Sequence, residues 1–82
     1  MPRRREGEIF GETLRRLRVD AGWTQEQLAD AAGLTTTYVG QVERGDKIAS
    51  LTVVLKLARG LSIPPGELLS GFSTGTLKTL RL

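Results

Sequence analysis

The 82-residue sequence contains no cysteine and no histidine. Without cysteine there are no disulfides and no thiol nucleophile, and without either residue the usual transition-metal ligands are gone, so no metal or other cofactor is expected. The acids Glu6, Glu8, Glu12, Asp20, Glu26, Asp30, Glu43, Asp46 and Glu67 are scattered rather than paired. Nor does a glycine-rich loop sit between a strand and a helix, the context that cradles phosphate. An enzyme is therefore not expected. No apolar run approaches the ~20 residues of a membrane span. The basic start, Met1 to Gly7, is not followed by the apolar stretch of a signal peptide. A cytoplasmic protein without a membrane partner is the expectation. Strand-like alternation is also lacking until the last residues.

What is present describes one small folded domain: 39% hydrophobic and 26% charged residues. A chain this short buries only a modest share of its surface, and pairing with a second copy is an ordinary remedy. Net charge is +3, much of it in Arg3, Arg4 and Arg5. Mild basicity permits nucleic-acid binding without proving it. The arginine run reads either as a solvated tail or as an arm that touches DNA. Three regions are expected: a flexible basic arm over 1–7, a helical domain over 8–69, and a flexible tail over 70–82.

Periodicity and glycine punctuation predict five helices, with Gly22, Gly33, Gly45 and Gly60 at or near their ends. The first spans about Glu8 to Ala21, with Phe10, Leu14, Leu17 and Ala21 as its buried stripe. The second spans Gln25 to Ala32, opened by a capping box of Thr24 and Gln27, with Leu28, Ala29 and Ala32 inward. A third begins near Thr36 after Thr35 as cap and ends at Arg44. A fourth follows Ser50, with Leu51, Val54, Leu55, Ala58 and Leu61 apolar, and ends near Gly60. The last is short, Pro65 to Leu69, opened by proline at its first turn.

The informative segment runs from Thr24 to Gly45. Two short helices meet at Gly33, which can take the positive φ of a tight turn. Ala29 permits a close crossing, while Leu34, Val39 and Val42 lock the second helix inward, and Trp23 reads as a core plug. Thr36, Thr37, Gln41 and Arg44 are left facing out, with Gly40 keeping that face close to whatever it approaches. Glutamine can pair bidentately with adenine, threonine can touch a thymine methyl, and arginine can hold phosphate or guanine. An ordinary solvated polar face is the plainer reading of such residues in isolation; within this turn motif, a helix fitted to a major groove is the better one.

The sequence here resembles the Xre/Cro/cI-like helix-turn-helix regulators, over roughly Phe10 to Leu69. Leu14–Arg18, Ala21–Ala29, Gly33-Leu34, Val39, Val42–Gly45, Ser50-Leu51, Leu57-Ala58 and Gly60-Leu61 carry the resemblance. It implies an all-α, five-helix, lambda-repressor-like DNA-binding domain. Because little lies outside the domain, the chain looks similar to stand-alone members, phage Cro-like repressors and especially restriction-modification controller proteins.

By the same resemblance, Thr36, Thr37 and Gln41 match base-reading positions. Gln25, Thr35, Tyr38, Arg44 and Lys47 match contacts to the DNA backbone, although packing is an equal reading for Tyr38. Arg18 and Glu43 match a structural ion pair between the first and third helices. Ala49 stands where the family often has proline, which weakens the match around Lys47. A homodimer on a pseudo-palindromic double-stranded operator is expected, joined through Leu55, Ile63, Pro64, Leu68 and Leu69. Two rival roles remain at this stage. An antitoxin-like protein would use Phe72, Leu77, Leu80 and Leu82 of the tail to hold a protein partner. An activator would touch RNA polymerase through Glu26 and Asp30, residues that a solvated face explains as well.

Overall fold

A computed structural model describes residues 4–82. Arg3, the first member of the basic run, lies outside the described residues, as do Met1 and Pro2. Six helices follow in order: α1 (Arg5–Asp20), α2 (Gln25–Ala32), α3 (Thr36–Glu43), α4 (Leu51–Leu61), α5 (Pro65–Leu68) and α6 (Thr74–Thr79). The expected all-helical class holds, with one helix more than the sequence suggested.

The core draws on every helix from α1 to α5. Phe10 and Leu14 of α1, Leu28, Ala29 and Ala32 of α2, and Val39 and Val42 of α3 meet Val54, Leu57 and Ala58 of α4 and Leu68 of α5. Trp23 and Leu17 are half-buried against this cluster, whereas Ala21 caps α1 and is exposed. The stripe of α1 therefore ends one turn earlier than its periodicity suggested.

Helix starts follow their caps. Thr24 forms both halves of the capping box with Gln27: its hydroxyl accepts from the Gln27 N–H at 3.1 Å, and its own N–H donates to Gln27 Oε1 at 2.8 Å. Thr35 and Ser50 accept from the N–H groups of Tyr38 and Val53. Helix α1 begins at Arg5, three residues before the sequence suggested, so Arg5 to Gly7 are helical rather than part of a free arm. Gly33 closes α2 in the left-handed conformation at φ 69°, as the turn requires.

Two glycine assignments need correction. Gly60 does not end α4; it lies within the helix, where a Cβ would come to 3.1 Å from the Ala31–Ala32 backbone. The left-handed cap is Ser62, at φ 57°. Gly40 is buried and faces the side chain of Gln25, so it brings α3 close to α2 rather than to an outside partner. On α1, Gly7 and Gly11 form a small-residue face one turn apart. A methyl group at Gly11 would strike the carbonyl oxygens of Val42 and Glu43. That face allows α1 to lie directly on the end of α3.

The tail also differs from expectation. Phe72 packs on the core, and Gly71 abuts Ile9 and Thr13 of α1. Ser73 then caps α6, accepting from the Thr76 N–H at 3.0 Å.

Candidate nucleic-acid interface

Helix α3 has only eight residues, so its orientation depends on what it buries. Val39, Gly40, Val42 and Glu43 face inward. At 100° per residue, Thr37, Gln41 and Arg44 fall within ~60° of one another on the opposite side. Thr37 and Arg44 are exposed and Gln41 is half-buried. Thr36 is also exposed, but it occupies the first turn on the flank nearer Gly40 and hence nearer the start of α2.

The backbone-contact candidates surround this face. Thr35 spends one lone pair on the α3 cap yet stays exposed. Tyr38 is half-buried and packed on the core; with Gly33, Leu34, Thr35 and Val53 it lines a shallow groove beside the turn. Both readings of Tyr38 survive, since packing leaves part of it open. Arg44 Nε lies 3.1 Å from Asp46 Oδ2 in an exposed pair. Such pairs are worth little in water, so a phosphate can take the guanidinium at small cost. Lys47 is exposed in the loop before α4.

Behind the face lies a polar network of four residues. Arg18 Nε and Nη2 donate to Glu43 Oε2 and Oε1 at 2.7 and 3.1 Å, a bidentate pair that ties α1 to α3. Arg18 Nη1 donates to the Trp23 carbonyl at 2.8 Å, and Gln25 Nε2 donates to Glu43 Oε1 at 3.0 Å. The hydrogen bond to Glu43 holds the Arg18 guanidinium above its ordinary range, reinforced by the carboxylate charge and opposed by burial. The Gln25 amide is thus already committed inside the protein. What it leaves for an anion is the start of α2, where the first N–H groups have no intrahelical partner.

The surface expected to join two copies is partly corrected. Leu68 is completely buried in the core of one chain and cannot serve as a contact between chains. Pro64 is exposed, Ile63 is half-buried against the core, and Leu55 and Leu69 are 47% and 46% exposed. Sequence reasoning placed Leu51 inward, but it is 74% exposed, and Ile48 beside it is 52% exposed. The signal was available: apolar residues cover more than half the circumference of α4. Leu57 completes the inner side, which turns Leu51 and Leu55 out together.

Elsewhere, Glu26 and Asp30 are exposed on α2, open to water or to a protein partner. Of the tail anchors, Phe72 is taken up by the core, Leu80 is half-buried, and Leu77 and Leu82 remain exposed. Among the described residues no helix is long and apolar enough to cross a membrane, and no cluster of acidic side chains could hold a metal ion.

Comparison with known proteins agrees with this geometry. The model of the helix-turn-helix domain family matches residues 9–70. The solved restriction-modification controller protein C.AhdI from Aeromonas hydrophila superposes with a TM-score of 0.75 at 49% identity, covering 77% of this chain and 96% of that one. Control protein C.SmaI from Serratia marcescens is 38% identical over 63 residues, 77% of this chain and 75% of its own length. The HTH-type transcriptional regulator YazB from Bacillus subtilis is 36% identical over 63 residues, 77% of this chain and 91% of its own length.

Proposed function

Because this chain belongs to the helix-turn-helix domain family, as a DNA-binding transcriptional regulator of the controller-protein type, we propose that it works as a homodimer on a pseudo-palindromic operator. In this reading α3 of each copy enters the major groove, with half-sites about one helical turn, ~34 Å, apart. Thr37 and Gln41 read base edges, and Thr36 does so from the flank of the helix. Thr35, Tyr38, Arg44, Lys47 and the start of α2 at Gln25 hold the sugar-phosphate backbone, which fixes register without reading sequence.

One observation carries this reading. The inward side of α3 is fully used by the core and by the Glu43 network, so its hydroxyl, amide and guanidinium groups have nowhere to point but outward. The dimer reading is supported by the exposure of Ile48, Leu51, Leu55 and Leu69, more exposed leucine and isoleucine than a small monomer needs.

Selection of bound sites from random duplexes, for the wild type and for Gln41→Ala, tests the assignment. The variant is expected to lose about 1–3 kcal/mol of discrimination at one base pair of each half-site and to keep the rest of the pattern. An identical selected site from both proteins would overturn the placement of Gln41, and a single asymmetric half-site would overturn the two-fold arrangement.

A further inference from the structure

A cleft of about 450 Å³ opens between the start of α1 and the end of α6, with Arg4, Arg5, Glu6, Thr79, Leu80 and Arg81 around it. Three guanidinium groups face one carboxylate there, and that carboxylate, on Glu6, already lies 3.7 Å from Arg4. Among the described residues Arg5 and Arg81 have no ion-pair partner, and residues 70–82 carry no acidic side chain. The side chains lining the cleft therefore carry a net positive charge, although Arg5 also shares a neighbouring pocket with Glu12.

Its position connects it to the interface described above. Glu6 also lines a smaller pocket with Lys47, so the two depressions adjoin. The next residues of α1 abut the end of the reading element: Gly7 lies under Ile48, and Glu8 packs on Gly45, immediately after Arg44. Arg44 and Lys47 thus lie near the cleft, with Glu6, Glu8 and Asp46 interspersed among them. The far wall comes from α6, which lies beyond the matched domain at 9–70 and is held by Phe72 and the Ser73 cap.

We propose that this cleft is a second nucleic-acid contact, in which Arg5 and Arg81 hold duplex phosphates adjoining the footprint of α3. The proposal rests on the DNA-binding reading above and extends it to α6. Guanidinium groups suit phosphate oxygens, and contacts of this type add affinity without sequence preference. An acidic protein segment is the other polyanion such a cleft could take, and the test separates the two.

The full chain and an Arg5→Gln/Arg81→Gln variant are titrated, by fluorescence anisotropy across a salt series, with a selected site carrying about one helical turn, ~10 base pairs, of flank on each side. Two lost phosphate contacts per copy, four per dimer, at ~0.9 each should flatten the slope of log affinity against log salt by ~3.6. Between ~50 and ~200 mM salt the variant should therefore lose about a hundredfold less affinity than the wild type. Site selection should give both proteins the same sequence. Coincident slopes overturn the proposal. So does a variant that loses binding to polyglutamate while its DNA slope is unchanged, which would assign the cleft to acidic protein. Failure of the wild type to select any sequence would count against the reading of α3 instead, and slopes on arbitrary duplexes would still decide the cleft.

Discussion

Removing Arg18 should cost more stability than any exposed substitution in this protein. The Glu43 side chain is 2% exposed and that of Arg18 11%, so neither charge can fall back on water when its partner goes. In Arg18→Met the carboxylate keeps only the Gln25 amide at 3.0 Å. Breaking a buried pair by deleting one member costs ~3–5 kcal/mol. A domain of this size has only ~4–12 kcal/mol in all, so the single variant should lose about a quarter of its stability or more. Glu43→Gln keeps an oxygen to accept from the network and should cost less, ~1–3 kcal/mol. The double variant leaves no orphaned charge, so its loss should fall short of the sum by ~2 kcal/mol. Urea unfolding of the four proteins gives this coupling energy directly. Repeating the series at high salt adds a second criterion, because a buried pair is screened far less than a surface one. Losses that add to within ~0.5 kcal/mol, or that vanish in salt, would show that the pair behaves as a surface contact.

Three further outcomes follow from the packing. Gly11→Ala should destabilise by ~1–3 kcal/mol in denaturant melts, since its methyl would meet the Val42 and Glu43 carbonyls; Gly75→Ala, with only Ser73 Oγ at 3.8 Å, should be neutral or stabilising. Thermal melts showing equal effects would contradict the close approach of α1 to α3. Ser62→Gly should stabilise by up to ~1 kcal/mol by relieving a left-handed serine at φ 57°, and a lower melting midpoint would count against that backbone conformation. Leu55→Glu should raise the dimer dissociation constant at least tenfold, ~1.4 kcal/mol, in sedimentation equilibrium; an unchanged constant would move the dimer surface away from α4.

Much of the helix-turn-helix was legible because its signals are local. The Thr24–Gln27 capping box, the left-handed Gly33 and the inward Val39 and Val42 each depend on residues within four positions of one another. The Arg18–Glu43 pair spans 25 positions and was placed through family resemblance, not periodicity. What stayed hidden depends on distant partners. Gly7 and Gly11 look like weak points in a helix until α3 is laid against them. Leu51 and Leu57 are interchangeable in an apolar count, and only the position of α2 decides which one turns in. Leu68 read as surplus because the space it fills lies between elements far apart in sequence. The α6 helix was missed because six residues carry too little pattern to distinguish a capped turn from a loop.

The packing of α3 has a consequence for the duplex as well as for the protein. Both of its neighbours are in contact with it before any operator arrives: Gly40 against Gln25 of α2, and Gly11 against the Val42–Glu43 backbone. If α3 enters the groove as proposed, a helix wedged in this way has little freedom to tilt towards its target. In a two-fold pair, the separation of the two helices would then be a fixed length, and the compliance must come from the DNA. Base pairs at the centre of the operator, touched by no side chain, would therefore be selected for how readily they bend or twist to bring two grooves into phase.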